Sequence, residues 1–344
     1  MPRPLRLASW NVEWFTHLFD DQDRLRPDRD WSGRHQVTRL DQITALATVL
    51  RAMDPDAVMV IEAPDTGSRR SSVRALEAFA RETGLRVHRA VTGFASETEQ
   101  EISLLYAPDR LRARHDPREA PDAPRFDGLL RFDVDGDALP EPIRFSKPPL
   151  ELAVTVRGRP LRLIGVHLKS KSPHGARSPE EAIRIGIDNR RKQLAEAVWL
   201  RRRIEAHLTA GDSLIVLGDV NDGPGLDEYE KLFGHSALEV LMGVDAPPQA
   251  RLFDPHARLA RASRHGLTAS TARFWNPAAG RYFEALLDYI LVSPDLAQPP
   301  AGPRTPVWRI WHPLNDPACA ADPDLARALL TASDHFPVTL DLWL

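Results

Sequence analysis

The sequence has a single cysteine, Cys319, among its 344 residues, and it has no apolar run of membrane-spanning length. One cysteine cannot form an intrachain disulfide, so the fold does not require an oxidising compartment. A membrane span needs roughly 18 consecutive apolar residues. The amino-terminal segment MPRPLRLASWNVEWF also contains no apolar run of signal-peptide length. We therefore expect a cytoplasmic protein without a membrane-spanning segment.

The sequence also lacks an excess of either charge. It contains 45 Lys+Arg against 48 Asp+Glu, a formal net charge of -3, so contact with a polyanion such as nucleic acid must depend on a local basic patch. No cluster of Cys and His is present, which argues against structural zinc. The contents of 42% hydrophobic and 27% charged residues are typical of a globular protein with a large core.

Short apolar runs alternate with helical patterns along the whole chain, which favours an α/β fold. The expected strands are 5–10, 57–61, 102–106, 152–156, 161–167, 214–217, 286–292 and 338–342. Helices are expected at 40–50, ending before Asp54-Pro55, and at 73–80, ending at Gly84. A third helix is expected to begin after Ser178 with a capping box and to end near His207.

We predict a single domain spanning 1–344, because no repeat, linker or change of composition divides the chain. Four stretches without a regular pattern are expected to be long loop insertions: 16–35, 109–150, 223–283 and 294–325. Loops of this length in a compact domain are usually binding loops or lids.

Polar residues occur at the ends of six expected strands, where a core would require apolar ones. The segments are 9–13 (SWNVE), 60–62 (VIE), 165–170 (GVHLKS), 217–222 (LGDVND), 287–289 (LDY) and 333–335 (SDH). Taken singly, each has a structural explanation, such as a solvated strand end, a turn or a satisfied core histidine. Their combination requires a functional explanation.

In this order, the six motifs resemble the endonuclease/exonuclease/phosphatase superfamily, whose members include pancreatic-type deoxyribonuclease and exonuclease III. The matching motifs extend from Trp10 to Pro337 and therefore cover nearly the whole chain. The resemblance implies a deoxyribonuclease-I-like α/β (α+β) fold, a four-layer sandwich of two mixed β-sheets flanked by helices. It also implies metal-dependent phosphoester hydrolysis, with the active site at one end of the sheets.

The resemblance further implies a site for Mg²⁺ or Mn²⁺. Glu62 matches the principal metal ligand of the family, and Asn11, Glu13 and Asp334 are expected to contribute directly or through water. Carboxylate and amide oxygens are hard ligands that suit these cations. The family usually has Gln-Glu where this chain has Ile61-Glu62, which keeps the ligand but removes a polar neighbour.

The expected catalytic residues are Asp219, Asn221, His335, Asp288 and His167. By resemblance, Asp219 orients or deprotonates the attacking water, and Asn221 holds the water or a phosphate oxygen. Two positions apart in an extended segment, both side chains would project to the same side. His335 binds the phosphate or acts as a base, oriented by Asp288. His167 is expected to donate to a phosphate oxygen or to the leaving group.

Residues that would bind the rest of the substrate are less clearly marked. Lys169 and Ser170 lie in the segment His-Leu-Lys-Ser-Lys (167–171), which looks most like the form found in bacterial nuclease-type members. Tyr106 is a candidate for phosphate contact or for packing. Phe274 and Trp275 could stack on a base or sugar, as in the abasic-site nuclease branch, or could anchor a loop.

The third expected helix carries a basic cluster: Arg184, Arg190, Arg191, Lys192, Arg201, Arg202 and Arg203. The cluster either follows a nucleic-acid backbone or is a solvated helix face. The inositol 5-phosphatase branch is disfavoured, because its Trp-Cys-Asp-Arg signature is absent at 287–291.

We favour a nuclease that hydrolyses DNA or RNA phosphodiester bonds by metal-assisted in-line attack of water, on the His-Leu-Lys-Ser-Lys segment and the aromatic residues 274–275. The alternative is a phosphoesterase for a small-molecule or lipid head-group phosphate, and a minor alternative is an inactive binding module. Nothing in the sequence indicates a protein partner.

Overall fold

Fifteen strands and eight helices make up the regular part of the computed structural model, which describes residues 3–133, 139–173, 175–223, 234–262, 269–276, 280–298 and 305–344. The strands are β1 Leu5–Asn11, β2 Ala57–Ala63, β3 Arg89–Thr92, β4 Glu101–Tyr106, β5 Arg112–His115, β6 Leu130–Phe132, β7 Glu141–Ile143, β8 Leu150–Val156, β9 Arg159–His167, β10 Leu214–Asp219, β11 Ala272–Asn276, β12 Arg281–Ala285, β13 Asp288–Val292, β14 Val307–Ile310 and β15 Val338–Leu342. The helices are α1 Arg39–Met53, α2 Ser72–Thr83, α3 Pro179–Thr209, α4 Ala237–Met242, α5 Pro255–Ala262, α6 Pro294–Ala297, α7 Pro317–Ala320 and α8 Pro323–Ala332.

Two mixed sheets form the centre of the molecule. The first sheet has the order β14-β15-β1-β2-β4-β3, and the second has the order β13-β10-β9-β8-β5. The pairs β1/β2 and β9/β10 are parallel, and the other pairs are antiparallel. Two separate hairpins, β6/β7 and β11/β12, complete the strands described.

Three apolar clusters divide the molecule into four layers. The inner cluster lies between the sheets and includes Leu7, Met59 and Ile215. Helices α1, α2 and α8 cover the outer face of the first sheet, and α3, α4 and α5 cover that of the second. The predicted four-layer α/β sandwich is therefore confirmed. The single domain for 1–344 stays a prediction, consistent with an inner core that both sheets share.

The three expected helices form close to their predicted bounds, because each carries its own end signals. The Thr38 side chain accepts the Asp41 amide at the start of α1, and the Ser178 side chain accepts the Glu181 amide at the start of α3. Gly84 ends α2 with a left-handed φ of 67°, which a residue without Cβ adopts readily.

The expectation that four stretches are long loops is wrong for three of them. The stretch 109–150 contains β5, β6 and β7, the stretch 223–283 contains α4, α5, β11 and most of β12, and the stretch 294–325 contains α6, β14 and α7. These elements are short, so periodicity gave no usable signal. The stretch 16–35 has only the end of a 3-10 helix, Phe15–Leu18. Residues 134–138, 224–233, 263–268, 277–279 and 299–304 lie outside the described part.

No helix in the described ranges is both long enough and apolar enough to cross a membrane.

Candidate functional site

Strand alternation brings the catalytic candidates of the second sheet together. On β10, Ile215 and Leu217 point into the inner core, so Asp219 at the strand end points the same way. In the register of the second sheet, Asp219 lies opposite His167 on β9 and Asp288 on β13. At this end, the inner core is therefore replaced by polar side chains.

The first sheet contributes Asn11 and Glu62 to the same end. Asn11 follows Leu5 and Leu7 on the inner face of β1, whereas Glu62 would alternate to the outer face of β2. A register shift next to Glu62, together with a left-handed φ of 60° there, re-aims this side chain. Its carboxylate accepts from the Asn11 amide at 3.4 Å and from the Trp14 backbone N–H at 2.9 Å.

Non-glycine residues with a left-handed backbone are concentrated at this end. Glu13 (φ 47°), Trp14 (φ 58°), Glu62 (φ 60°) and Asn221 (φ 54°) all line one cleft or are bonded to residues that do. Such conformations cost roughly 1–3 kcal/mol each and persist where the surroundings require them. The backbone therefore stores strain where the polar side chains converge.

His335 and Asp288 form a buried hydrogen-bonded pair. The His335 Nδ1 lies 2.8 Å from the Asp288 Oδ2, and the His335 Nε2 lies 3.9 Å from the Asp219 Oδ2. Burial opposes the charged imidazolium, but Asp288 and Asp219 outweigh it and raise the pKa of His335 to about 10. This ring is therefore a cation held at a fixed angle beside Asp219.

Asp219 is 1% exposed and accepts hydrogen bonds from two neighbours. The Asn11 amide donates to its Oδ2 at 3.1 Å, and the Asn221 backbone N–H donates to its Oδ1 at 2.8 Å. Burial raises the pKa of Asp219 to about 7, with His335 opposing the rise and Asp288 adding to it.

Asn221 does not lie in the extended segment that we expected. β10 ends at Asp219, and Asn221 has a left-handed backbone in the following turn. Its side-chain amide nevertheless reaches the Asp219 Oδ2 at 3.3 Å and the Leu168 carbonyl at 3.0 Å. The two residues therefore converge through a turn rather than through strand alternation.

His167 faces the same two carboxylates. Its Nε2 lies 3.7 Å from the Asp219 Oδ2 and 4.0 Å from the Glu62 Oε1, and its Nδ1 has no hydrogen-bond partner among the described residues. Burial lowers the pKa of His167 well below its usual range, with Lys147 and His335 adding to the effect. A neutral imidazole at this position can donate one hydrogen bond to a ligand.

The expected ligands suit a hard divalent cation, because they carry carboxylate and amide oxygens and line one cleft. Asn11, Glu62 and Asp334 all line the cleft. Glu13 also lines it, but its carboxylate is paired with Arg34 and accepts the Asp334 backbone N–H at 3.1 Å. The Glu13 carboxylate would therefore act on a cation indirectly, by positioning Asp334 or through a water molecule.

A different trio, Asp219, Asp288 and His335, has ligand atoms within 4.8 Å of one another. In this trio the His335 Nδ1 is occupied by its contact with the Asp288 Oδ2 at 2.8 Å, so the Glu62 group stays the candidate for the cation.

The polar end of the sandwich opens into a cleft of about 1430 Å³. Of the substrate-binding candidates, Lys169, Ser170, Phe274, Trp275 and Arg190 line it. Phe274 packs edge-on against His335 with ring centroids 5.5 Å apart. The hairpin β11/β12 therefore forms one wall of the cleft directly beside the catalytic candidates.

Two substrate-binding candidates lie elsewhere. Tyr106 pairs with Ala57, at the opposite end of β2 from Glu62, and packs against the inner core, so of its two alternatives packing fits and the phosphate contact does not. Arg191 is paired with Glu141 at 3.1 Å and does not line the cleft.

The basic cluster of α3 does not form one face of the helix. Arg201 and Arg203 are buried, and their guanidinium groups donate to backbone carbonyls of Ala250 and Ala123, respectively. Arg190 lies on the cleft side of the helix. The cluster therefore combines structural arginines with one that faces the candidate site.

Sequence reasoning missed Lys147, which lines the cleft between β7 and β8. Its ammonium is attracted by Glu62 and Asp219, which also line the cleft, and by the buried Glu196, yet no ion pair involving it is found in the described ranges. Burial lowers the pKa of Lys147 to about 8. The only sequence signal was a lysine before Pro148-Pro149 and a strand.

The sequence profile of the Endonuclease/Exonuclease/phosphatase family matches residues 8–335, so the chain belongs to this family. Search of the curated proteins gives no match. Among solved structures, TDP2 from C. elegans is similar at 13% identity and a TM-score of 0.51, over 99% of this chain and 75% of that one. A truncated Caenorhabditis elegans TDP2 has 12% identity and a TM-score of 0.50, over 99% and 98%. The 3' phosphatase NExo from Neisseria has 17% identity and a TM-score of 0.47, over 99% and 100%.

Proposed function

We propose that this protein is a divalent-metal-dependent phosphodiesterase, and specifically a nuclease that hydrolyses phosphodiester bonds of DNA or RNA. The observation that carries the proposal is the convergence of Asp219, His335 and His167 with Asn11 and Glu62 on the floor of one open cleft. Family membership supports phosphoester chemistry, and all the predicted catalytic and metal-binding residues except Asp288 line the cleft. An inactive binding module would not need to retain this set.

Mg²⁺ or Mn²⁺, held by Glu62 and Asn11 with Asp334, would neutralise phosphate charge and stabilise the leaving oxygen. The chain's own residues supply the rest of the chemistry. Asp219, oriented by Asn11 and by the Asn221 backbone N–H, takes a proton from the attacking water.

Positively charged and hydrogen-bonding groups surround the place where a phosphoryl group must lie. The imidazolium of His335 is oriented by Asp288 and donates through Nε2 to a phosphoryl oxygen. His167 donates from the β9 side, and the Lys147 ammonium adds a charge from the loop before β8. Together, these groups stabilise the charge that develops in the transition state.

The size and walls of the cleft favour a polynucleotide over a small phosphoester. Its volume of about 1430 Å³ exceeds the range of roughly 300–1000 Å³ that is usual for small-molecule sites. Phe274 and Trp275 on one wall and Arg190 on another provide stacking and phosphate contacts beyond the reacting group. A small-molecule or lipid head-group phosphate would leave much of this surface uncovered.

Assays with Mg²⁺ or Mn²⁺ on plasmid DNA, single strands, RNA, bis-p-nitrophenyl phosphate and p-nitrophenyl phosphate test this proposal. We expect polynucleotide hydrolysis that chelation abolishes and either metal restores. The Asp219→Asn variant should lose kcat by on the order of 10² or more. Asp254→Asn is the matched control, because Asp254 is also buried and accepts backbone N–H groups but lies outside the cleft. Full activity after chelation, or of the Asp219 variant, would contradict the proposal.

A further inference from the structure

Trp14 lies at the rim of the cleft, next to the residues assigned to the cation. We propose that its ring binds the unpaired nucleobase beside the scissile phosphate, which makes single-stranded nucleic acid the substrate class. This inference rests on the proposed function and extends it. Trp14 lines the cleft together with Glu13 and Glu62 and is 39% exposed.

One face of the Trp14 ring has a firm backing. The His17 ring stacks on it in parallel, with centroids 5.3 Å apart and an interplanar angle of 4°. The His17 Nδ1 lies 3.1 Å from the Ser32 carbonyl oxygen, which fixes the imidazole in turn. The tryptophan is therefore supported on one side, and part of its surface borders the cleft.

Gly33 allows the loop to close on this imidazole. Its φ is +106°, and a Cβ atom there would lie 2.4 Å from the His17 Nδ1. A side chain at position 33 would therefore push the His17 ring out of the stack. Glycine at position 33 therefore permits the stacking of His17 on Trp14.

The backbone of Trp14 is fixed as tightly as its ring. Its N–H donates to the Glu62 Oε2 at 2.9 Å, and its φ of 58° follows a φ of 47° at Glu13. Two successive non-glycine residues in this region are costly, and the hydrogen bond to Glu62 helps to hold them. A ligand on the Trp14 ring therefore lies beside Glu62, where the scissile phosphate is expected.

The surroundings of Trp14 favour a nucleobase over an apolar chain. Glu101 pairs with Ala63, so Gln100 and Thr98 lie at the same end of the first sheet as Glu62, and both line the cleft. Their hydrogen-bonding groups suit the polar edge of a heteroaromatic ring. Bases inside a duplex already stack on both faces, whereas an unpaired base has a face free to cover the tryptophan.

The test measures binding of fluorescein-labelled single-stranded oligonucleotides by anisotropy in the presence of a chelator, where no hydrolysis occurs. We expect Trp14→Ala to raise Kd by about 5- to 150-fold, the range found when a base-stacking aromatic is removed. Trp14→Phe should retain most of the affinity. Trp31→Ala is the matched control, because Trp31 is 65% exposed in the following loop but does not line the cleft.

Oligonucleotides with one abasic residue at successive positions locate the contact. When the abasic residue stands at the position of the stacked base, the wild type should bind more weakly. At that position, the wild type and Trp14→Ala should have the same Kd. An equal penalty for Trp14→Ala on every oligonucleotide, including a fully abasic one, would overturn the inference. Circular dichroism and melting temperature identify a variant that has failed to fold, in which case the Trp14→Phe and abasic results decide.

The outcomes separate this inference from the proposed function. If the wild type hydrolyses polynucleotides with metal but Trp14→Ala binds oligonucleotides with unchanged Kd, only the stacking role is overturned. A wild-type protein that neither binds oligonucleotides nor hydrolyses polynucleotides would overturn both.

Discussion

The Nδ1 of His335 lies 2.8 Å from the Oδ2 of Asp288, and this bond turns the Nε2 of the same ring toward Asp219 at 3.9 Å. Asp288 begins β13, directly opposite Asp219 at the end of β10, so sheet register alone sets the spacing of the two carboxylates. The orientation of the imidazole is thus a consequence of strand pairing.

Replacing Asp288 with asparagine should therefore impair catalysis more than folding. Asn keeps the shape but removes the charge that holds the imidazolium, so we expect kcat to fall by on the order of 10². Steady-state kinetics on a polynucleotide measure the effect. His335→Gln should cost at least as much, and the double variant should lose little more, because the two residues act as a unit. Additive losses would show that they act separately.

Lys147 should contribute mainly to binding of the anionic substrate. In Lys147→Met, removal of an ammonium that lines the cleft should raise KM several-fold, with a smaller effect on kcat. Lys147→Arg keeps the charge and should recover most of the loss. The measurement is KM against kcat for both variants, and an unchanged KM in Lys147→Met would remove this lysine from the site.

The residues that meet in the candidate site could be predicted because their signals are local. Most of them lie at or next to the end of a strand whose apolar run is visible in the sequence, and β10 in the structure ends at the predicted Asp219. Lys147 could not be found in this way. It lies in a proline-rich stretch where the strands are only three residues long, so periodicity has nothing to detect.

Tyr106 shows the opposite case, a strand end whose side of the sheet could not be predicted from the sequence. β4 runs antiparallel to β2, so its carboxyl end lies far from the carboxyl end of β2 that carries Glu62. Sequence reveals that a strand ends but not the direction in which it runs. Likewise, the charge of Arg203 is visible in the sequence, but its burial against the Ala123 carbonyl is not.

The two adjacent arginines of α3 should differ in their effect on nucleic-acid binding. Arg190 lines the cleft, whereas Arg191 is paired with Glu141 outside it. Arg190→Glu should weaken oligonucleotide binding. The slope of log K against log salt concentration should become shallower by roughly 0.7–0.9 for each phosphate that the helix no longer neutralises. Arg191→Glu is the matched control and should leave the slope nearly unchanged. Equal slopes for both variants would show that this helix does not touch the phosphates.

A stability prediction concerns Asp316, which does not line the cleft. The Arg309 guanidinium donates to both Asp316 oxygens at 2.7 and 2.8 Å and lowers the pKa of this carboxyl to about 2, against an ordinary value of 3.8. Because folding lowers this pKa, the ionised carboxylate favours the folded state. Its contribution is complete above pH 4 and is lost as the pH falls toward 2.

Asp316→Asn should therefore lower the free energy of unfolding by about 2 kcal/mol at pH 7, and the difference from wild type should narrow between pH 4 and pH 2. Urea unfolding at several pH values measures both effects. Asp322→Asn is the matched control, because Asp322 caps α8 through two backbone N–H groups but has no ion pair within the described ranges. Asparagine at the cap position keeps a side-chain oxygen that can accept the backbone N–H groups and loses only the charge, so a loss that stays constant with pH in Asp316→Asn would contradict the prediction.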